Sequence, residues 1–154
     1  LAQLQEAVGP NHGEYLYQIC RGIDDSLVVT EWEPKSYSRE TTFQVDVRRR
    51  ETLVRTIQRL GQKVWAECVD EDGSLARTGT VKLRYHNFRT HTRAQTLPEP
   101  SGDRDLLLGM AVSLLDRFTL DRPVRLVGVR FSNLVKPVEG TTRSGAPDQW
   151  TDAP

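Results

Sequence analysis

The chain has 154 residues with 21 Lys and Arg against 21 Asp and Glu, so its formal net charge is zero and the excess of base that usually marks a nucleic-acid binder is missing. Apolar residues make up 37% and charged residues 27%, the balance of a soluble globular chain with enough length for one core and some appendages. The longest strongly apolar stretch, Leu106 to Leu115, is about half of what a membrane span needs, the two cysteines give no disulfide framework, and no signal peptide is visible, so a reducing, cytoplasmic setting without a membrane partner is expected.

Residues 1–23 read as the end of a helical segment. Gly9-Pro10-Asn11-His12-Gly13 predicts a break, Glu14 to Cys20 a short helix with Leu16, Ile19 and Cys20 on one side, and Gly22 its stop. Residues 24–34 have no sustained period and end in Glu33-Pro34, an extended linker. From Ser36 to Val45 the chain alternates: Tyr37, Thr41, Phe43 and Val45 share one parity and Ser36, Ser38, Glu40 and Thr42 the other, a half-buried strand. Arg39 falls on the apolar parity, which suits an edge or a break in the strand.

Asp46 is a candidate N-cap for an amphipathic helix carrying Leu53, Ile57, Leu60, Val64 and Cys68, ended by Gly73. Thr78 to His86 alternates again, with Val81, Leu83 and Tyr85 inward and Thr80, Lys82, Arg84 and His86 outward. Asn87 marks a turn, Phe88 to Leu97 continues as a Thr-rich strand, and Pro98 and Pro100 close it. Ser101 or Asp103 can cap a second helix with a broad stripe of Leu106, Leu107, Met110, Ala111, Leu114, Leu115 and Phe118. Val124 to Leu134 is the last strand, and disorder is expected from Val138 on.

The order β-α-β-β-α-β predicts an α+β fold in which two helices cover one face of a four-stranded, mostly antiparallel sheet. The other face stays open, and parity assigns it Ser36, Ser38, Thr42, Thr80, Lys82 and Arg84, with Arg93 as a further candidate. Hydroxyls and cations on such a face can hold phosphate oxygens. The zero net charge also divides unevenly. Residues 1–34 carry one base against six acids, residues 35–136 nineteen against twelve, and residues 137–154 one against three. A basic middle lies between acidic ends.

Four segments carry a resemblance. Lys35-Ser36-Tyr37-Ser38-Arg39-Glu40-Thr41-Thr42-Phe43 resembles the opening strand of the little-finger domain of Y-family translesion DNA polymerases of the bacterial DNA polymerase IV type. Arg21-Gly22-Ile23-Asp24 resembles the end of that family's thumb, Leu83 to Arg93 its central hairpin, and Val124 to Ser132 its last strand. The resemblance implies that residues 1–23 end a thumb domain, 24–34 are a linker, 35–136 are a βαββαβ little-finger domain, and 137–154 are a disordered tail. It implies a domain that grips primer–template duplex through its backbone during lesion bypass. Carried over position by position, Ser36, Ser38, Arg39, Arg93, Arg125 and Arg130 are its phosphate contacts, and strand parity adds Lys82 and Arg84.

The resemblance also implies a DNA-directed DNA polymerase, a nucleotidyltransferase whose chemistry uses palm-domain acids holding two Mg²⁺ ions. The chain begins at Leu1 without methionine, as a piece of something longer does, and contains no palm. No catalytic residue, metal ligand or cofactor is therefore expected in this fragment, which should be inactive alone. Asp70-Glu71-Asp72 is the one tight acidic cluster and reads as a solvated helix terminus, while Cys20 and Cys68 read as buried thiols. The family's sliding-clamp peptide, Gln-Leu-based with a terminal Leu-Phe, has only Gln149-Trp150 as its counterpart, so either it has been trimmed or clamp docking works otherwise. The alternative is a free-standing basic α+β module for RNA or an acidic protein, which would have no need of a thumb-like residues 1–34.

Overall fold

The computed structural model describes residues 1–30 and 32–137, and divides the chain into two compact units, Leu1–Glu33 and Pro34–Pro154. The tail expected from 137 onward, with Gln149 and Trp150, lies outside the described residues from 138 on.

In the first unit, helices α1 (Ala2–Val8) and α2 (Pro10–Ile19) meet at a single break, Gly9, so the helix begins at Pro10 rather than at Glu14 as the sequence suggested. Proline suits that first position because its missing N–H is unneeded there. The helix runs through Gly13 because the two helices touch at that point: a Cβ on Gly13 would lie 2.6 Å from the Gln5 backbone. Cys20, expected to be buried, is exposed. Beyond Gly22, residues 23–30 are without helix or strand, and Leu27, Val28 and Val29 are 73% or more exposed.

The second unit runs β1 (Ser36–Val47), α3 (Arg50–Trp65), β2 (Leu75–Tyr85), β3 (Thr90–Ser101), α4 (Arg104–Ser113) and β4 (Val124–Val135). The sheet order is β1-β4-β2-β3, and all three pairings are antiparallel. The α+β expectation of four strands with two helices holds. Leu53, Ile57, Leu60 and Val64 of α3 and Leu107, Met110 and Ala111 of α4 pack on Val81, Leu83, Val127, Val129 and Phe131 in one hydrophobic core. The stripe spacing of α3 brings these four side chains to the sheet side.

Several boundaries differ from expectation for identifiable reasons. Asp46 is not a cap but lies inside β1, and the α3 N-cap is Arg49 with no side-chain bond. Register slips between Thr42 and Val47, which turns Val45 out to 81% exposure although its parity pointed inward. After Trp65 the helix widens into a π-helical turn, Ala66–Glu71, that still buries Cys68; burial pushes its thiol up to about 11. Pro98 and Pro100 do not end β3, because β3 is an edge strand whose outer N–H groups have no strand to bond. Asp103 is the true cap of α4, accepting from Leu106 N at 2.8 Å, and Leu106 is half-exposed rather than core. The stripe then finishes in a 3₁₀ turn, Leu114–Arg117.

The acidic cluster is only partly solvated. Asp72 accepts from Ser74 Oγ and pairs with Lys136 Nζ at 2.7 Å, and these bonds, Lys136 first, hold its carboxyl below the usual carboxylate range.

Candidate nucleic-acid interface

The pairing registers arrange the uncovered face as four rows across the sheet, in the order β1, β4, β2, β3. Ser36, Ser132, Thr78 and Thr96 make the first row and Ser38, Arg130, Thr80 and Ala94 the second. Glu40, Gly128, Lys82 and Thr92 make the third, and Thr42, Leu126, Arg84 and Thr90 the fourth. Strand spacing of about 4.8 Å and a two-residue rise of about 6.7 Å make this a patch of roughly 15 by 20 Å. Hydroxyls dominate it, three cations stand in it, and Leu126 is its one buried apolar side chain.

The cations differ in what already holds them. Among the described residues Arg130 has neither a hydrogen bond nor an ion pair, and it stands exposed between Ser38 and Thr80. Arg84 Nε donates to Thr90 Oγ1 at 3.0 Å, its partner in the same row. Lys82 is ion-paired with Glu40. A shallow hollow of about 270 Å³, bordered also by Arg39 and Glu40, is lined by Ser38, Thr80, Lys82, Thr92 and Arg130. These groups can donate to several phosphate oxygens at once, without any base-reading partner.

Ser36, Ser38, Lys82, Arg84 and Arg130 thus come together on the open face. Arg39 and Arg93 belong by parity to the other face, although Arg39, on the edge strand, also borders the open-face hollow. The row on the opposite face reads Arg39, Val129, Val81, Arg93, so the two arginines are the two ends of one helix-side row. Arg93, a candidate for the open face, is corrected accordingly: its register with Val81 fixes its parity on the core side, and only its place on an edge strand lets it reach solvent. Its Nε donates to the carbonyl of Arg117 at 3.1 Å, and its guanidinium lies 5.3 Å over the Phe118 ring. Arg39 is on the edge strand β1, as its parity required, and is ion-paired with Glu67, whose hydrogen bond pushes the guanidinium pKa up.

Arg125 belongs to neither face. A bulge between the Arg84–Leu126 and Tyr85–Val124 pairs swings it outward, where it lies 5.0 Å over the Phe88 ring and 3.9 Å from Asp46. That end of the sheet gathers, around Arg93, three groups the sequence did not single out: Arg89, His91 and Arg122. Arg89, His91, Arg93 and Arg122 line a hollow of about 290 Å³ beside the β2–β3 turn. Dense arginine between residues 84 and 93 was the only signal for it.

Known proteins share this arrangement of strands and helices. Residues 34–145 match the family described as impB/mucB/samB family C-terminal domain. The chain is 41% identical over 138 residues, 90% of its length, to DNA polymerase IV of Methanoculleus marisnigri, covering 37% of that protein. It is 34% identical to DNA polymerase IV 2 of Agrobacterium fabrum over 82% of its length, covering 36% of that protein. It thus spans little more than a third of these curated relatives. A solved Y-family DNA polymerase chimera of Dbh and Dpo4 superposes with a TM-score of 0.64 at 17% identity, over 88% of this chain and 39% of the other. That likeness supports the fold.

Proposed function

The chain belongs to the impB/mucB/samB family through its C-terminal domain, and from that membership we propose that it is the DNA-gripping C-terminal region of an error-prone translesion DNA polymerase. Residues 35–136 act as the little finger, with residues 1–23 as the end of a thumb and 24–34 as the linker. The open face holds primer–template duplex through its phosphates, so that a damaged base does not weaken the grip. Such binding is electrostatic and independent of sequence.

One observation carries this reading: the uncovered sheet face is a grid of hydroxyls with Arg84 and Arg130 free of any carboxylate partner among the described residues. The Mg²⁺-dependent transfer is proposed to belong to a palm domain.

A short duplex titrated against the purified chain at rising salt tests the proposal. Affinity should fall linearly on a log–log scale, with about 0.9 of slope for each phosphate held. Salt-insensitive binding, or tighter binding to an acidic peptide than to duplex, contradicts it.

A further inference from the structure

We infer that Glu40 is a built-in competitor for DNA phosphate, occupying Lys82 until a phosphate displaces it and so keeping the grip weak enough to slide. The inference rests on the duplex-gripping reading and concerns how that same face is regulated.

The third row of the open face is its basis. Glu40 on β1 and Lys82 on β2 are not neighbours, because β4 runs between them. Their backbones are about 10 Å apart, two strand spacings. The two side chains nevertheless form an ion pair, and the residue beneath it is Gly128. A Cβ on Gly128 would lie 3.2 Å from Glu40 Cβ and 3.5 Å from both Glu40 Oε2 and Lys82 Cε. The bare glycine leaves the channel through which carboxylate and ammonium meet. The pair is half-open to water, with Lys82 35% and Glu40 51% exposed, so an incoming anion can reach it. Neighbouring Arg130 has no such carboxylate among the described residues, so phosphate would reach the rows in sequence: Arg130 directly, Lys82 only by exchange.

Chemically, the exchange swaps one anionic oxygen on Lys82 for another. A carboxylate and a phosphate oxygen make comparable charge-assisted bonds to an ammonium. Lys82 therefore contributes little net affinity while Glu40 is present, and a full phosphate contact once it is gone.

A double-mutant cycle of Glu40→Gln and Lys82→Gln, read as duplex affinity over a salt series, tests this, with Asp105→Asn, an exposed carboxylate in the first turn of α4 on the helical layer, as a remote charge control. With Lys82 in place, Glu40→Gln should tighten duplex binding roughly three- to tenfold at 0.1 M salt and steepen the salt slope by about 0.9. In the Lys82→Gln background the same change should give less than about twofold and no added slope, as should Asp105→Asn. Equal gains in both backgrounds would mean that only long-range charge is at work, and would overturn the inference while leaving the grip intact. Absence of salt-dependent binding by the unaltered chain would instead overturn the grip, and the inference with it.

Discussion

Replacing Arg84 and Arg130 together by glutamine is expected to weaken duplex binding by about 30- to 150-fold and to flatten the salt slope by about 1.8, with the fold intact. The magnitude follows from two charge-assisted phosphate contacts at about 1–1.5 kcal/mol each after solvent is counted. Stability should hold because Arg130 makes no hydrogen bond or ion pair among the described residues, and Arg84 gives up only an exposed bond to Thr90. Lost positive charge alone would also weaken binding, so the matched control is Arg55→Gln with Arg59→Gln. These two exposed arginines of α3 lie on the helical layer, across the sheet from the open face. Titration by fluorescence anisotropy should give the helix variant less than about fivefold loss and an unchanged slope. Equal loss from both pairs contradicts the assignment of the face.

The largest stability effect is expected at Phe131. It is fully buried in central strand β4, between Tyr37 on β1 and Gly79 on β2, and among the largest side chains of the core. The bare Gly79 position is filled by Met110, whose methyl would lie 2.6 Å from any Cβ there, so helix α4 is pressed close beside Phe131's row. Truncation to alanine leaves a cavity that close-packed strands and helices cannot collapse into, and should cost about 3–5 kcal/mol in chemical unfolding followed by circular dichroism. A cost below about 1 kcal/mol contradicts this packing.

Much of this was legible because period and parity are local. The spacing of Leu53, Ile57, Leu60 and Val64 needs only a few turns of helix to specify a face, and Thr80, Lys82 and Arg84 need only alternation. Register is not local, and there the sequence fell short. Arg93 lies on a Thr-rich strand whose parity is ambiguous until its pairing with Val81 is known. Val45 and Arg125 are displaced by irregularities that no propensity marks. Asp46, a good cap by type, was overridden because β1 runs on to Val47. Glu40 was on the open parity from the start, but its importance depends on Gly128 lying between it and Lys82, which three aligned strands alone reveal. The arginine at position 39, awkward for a core parity, did identify an edge strand correctly.

The net charge of zero hides the same arrangement. Residues 35–136 carry nineteen bases against twelve acids, yet several of the bases are answered by carboxylates, as in Arg39–Glu67 and Lys82–Glu40. Arg84 and Arg130, which have no carboxylate among the described residues, stand where the sheet has no helix over it. The proposed grip would bind by a few contacts that can be made and broken.

The most direct measurement is a residue-by-residue amide chemical-shift map of the isotope-labelled chain as a short duplex is added. If the open face holds the duplex, Ser38, Thr80, Lys82, Arg84 and Arg130 shift together, saturably and reversibly with salt, while the exposed face of α3 at Arg55, Arg59 and Lys63 stays still. Shifts confined to that helix, with the sheet face silent, would contradict it.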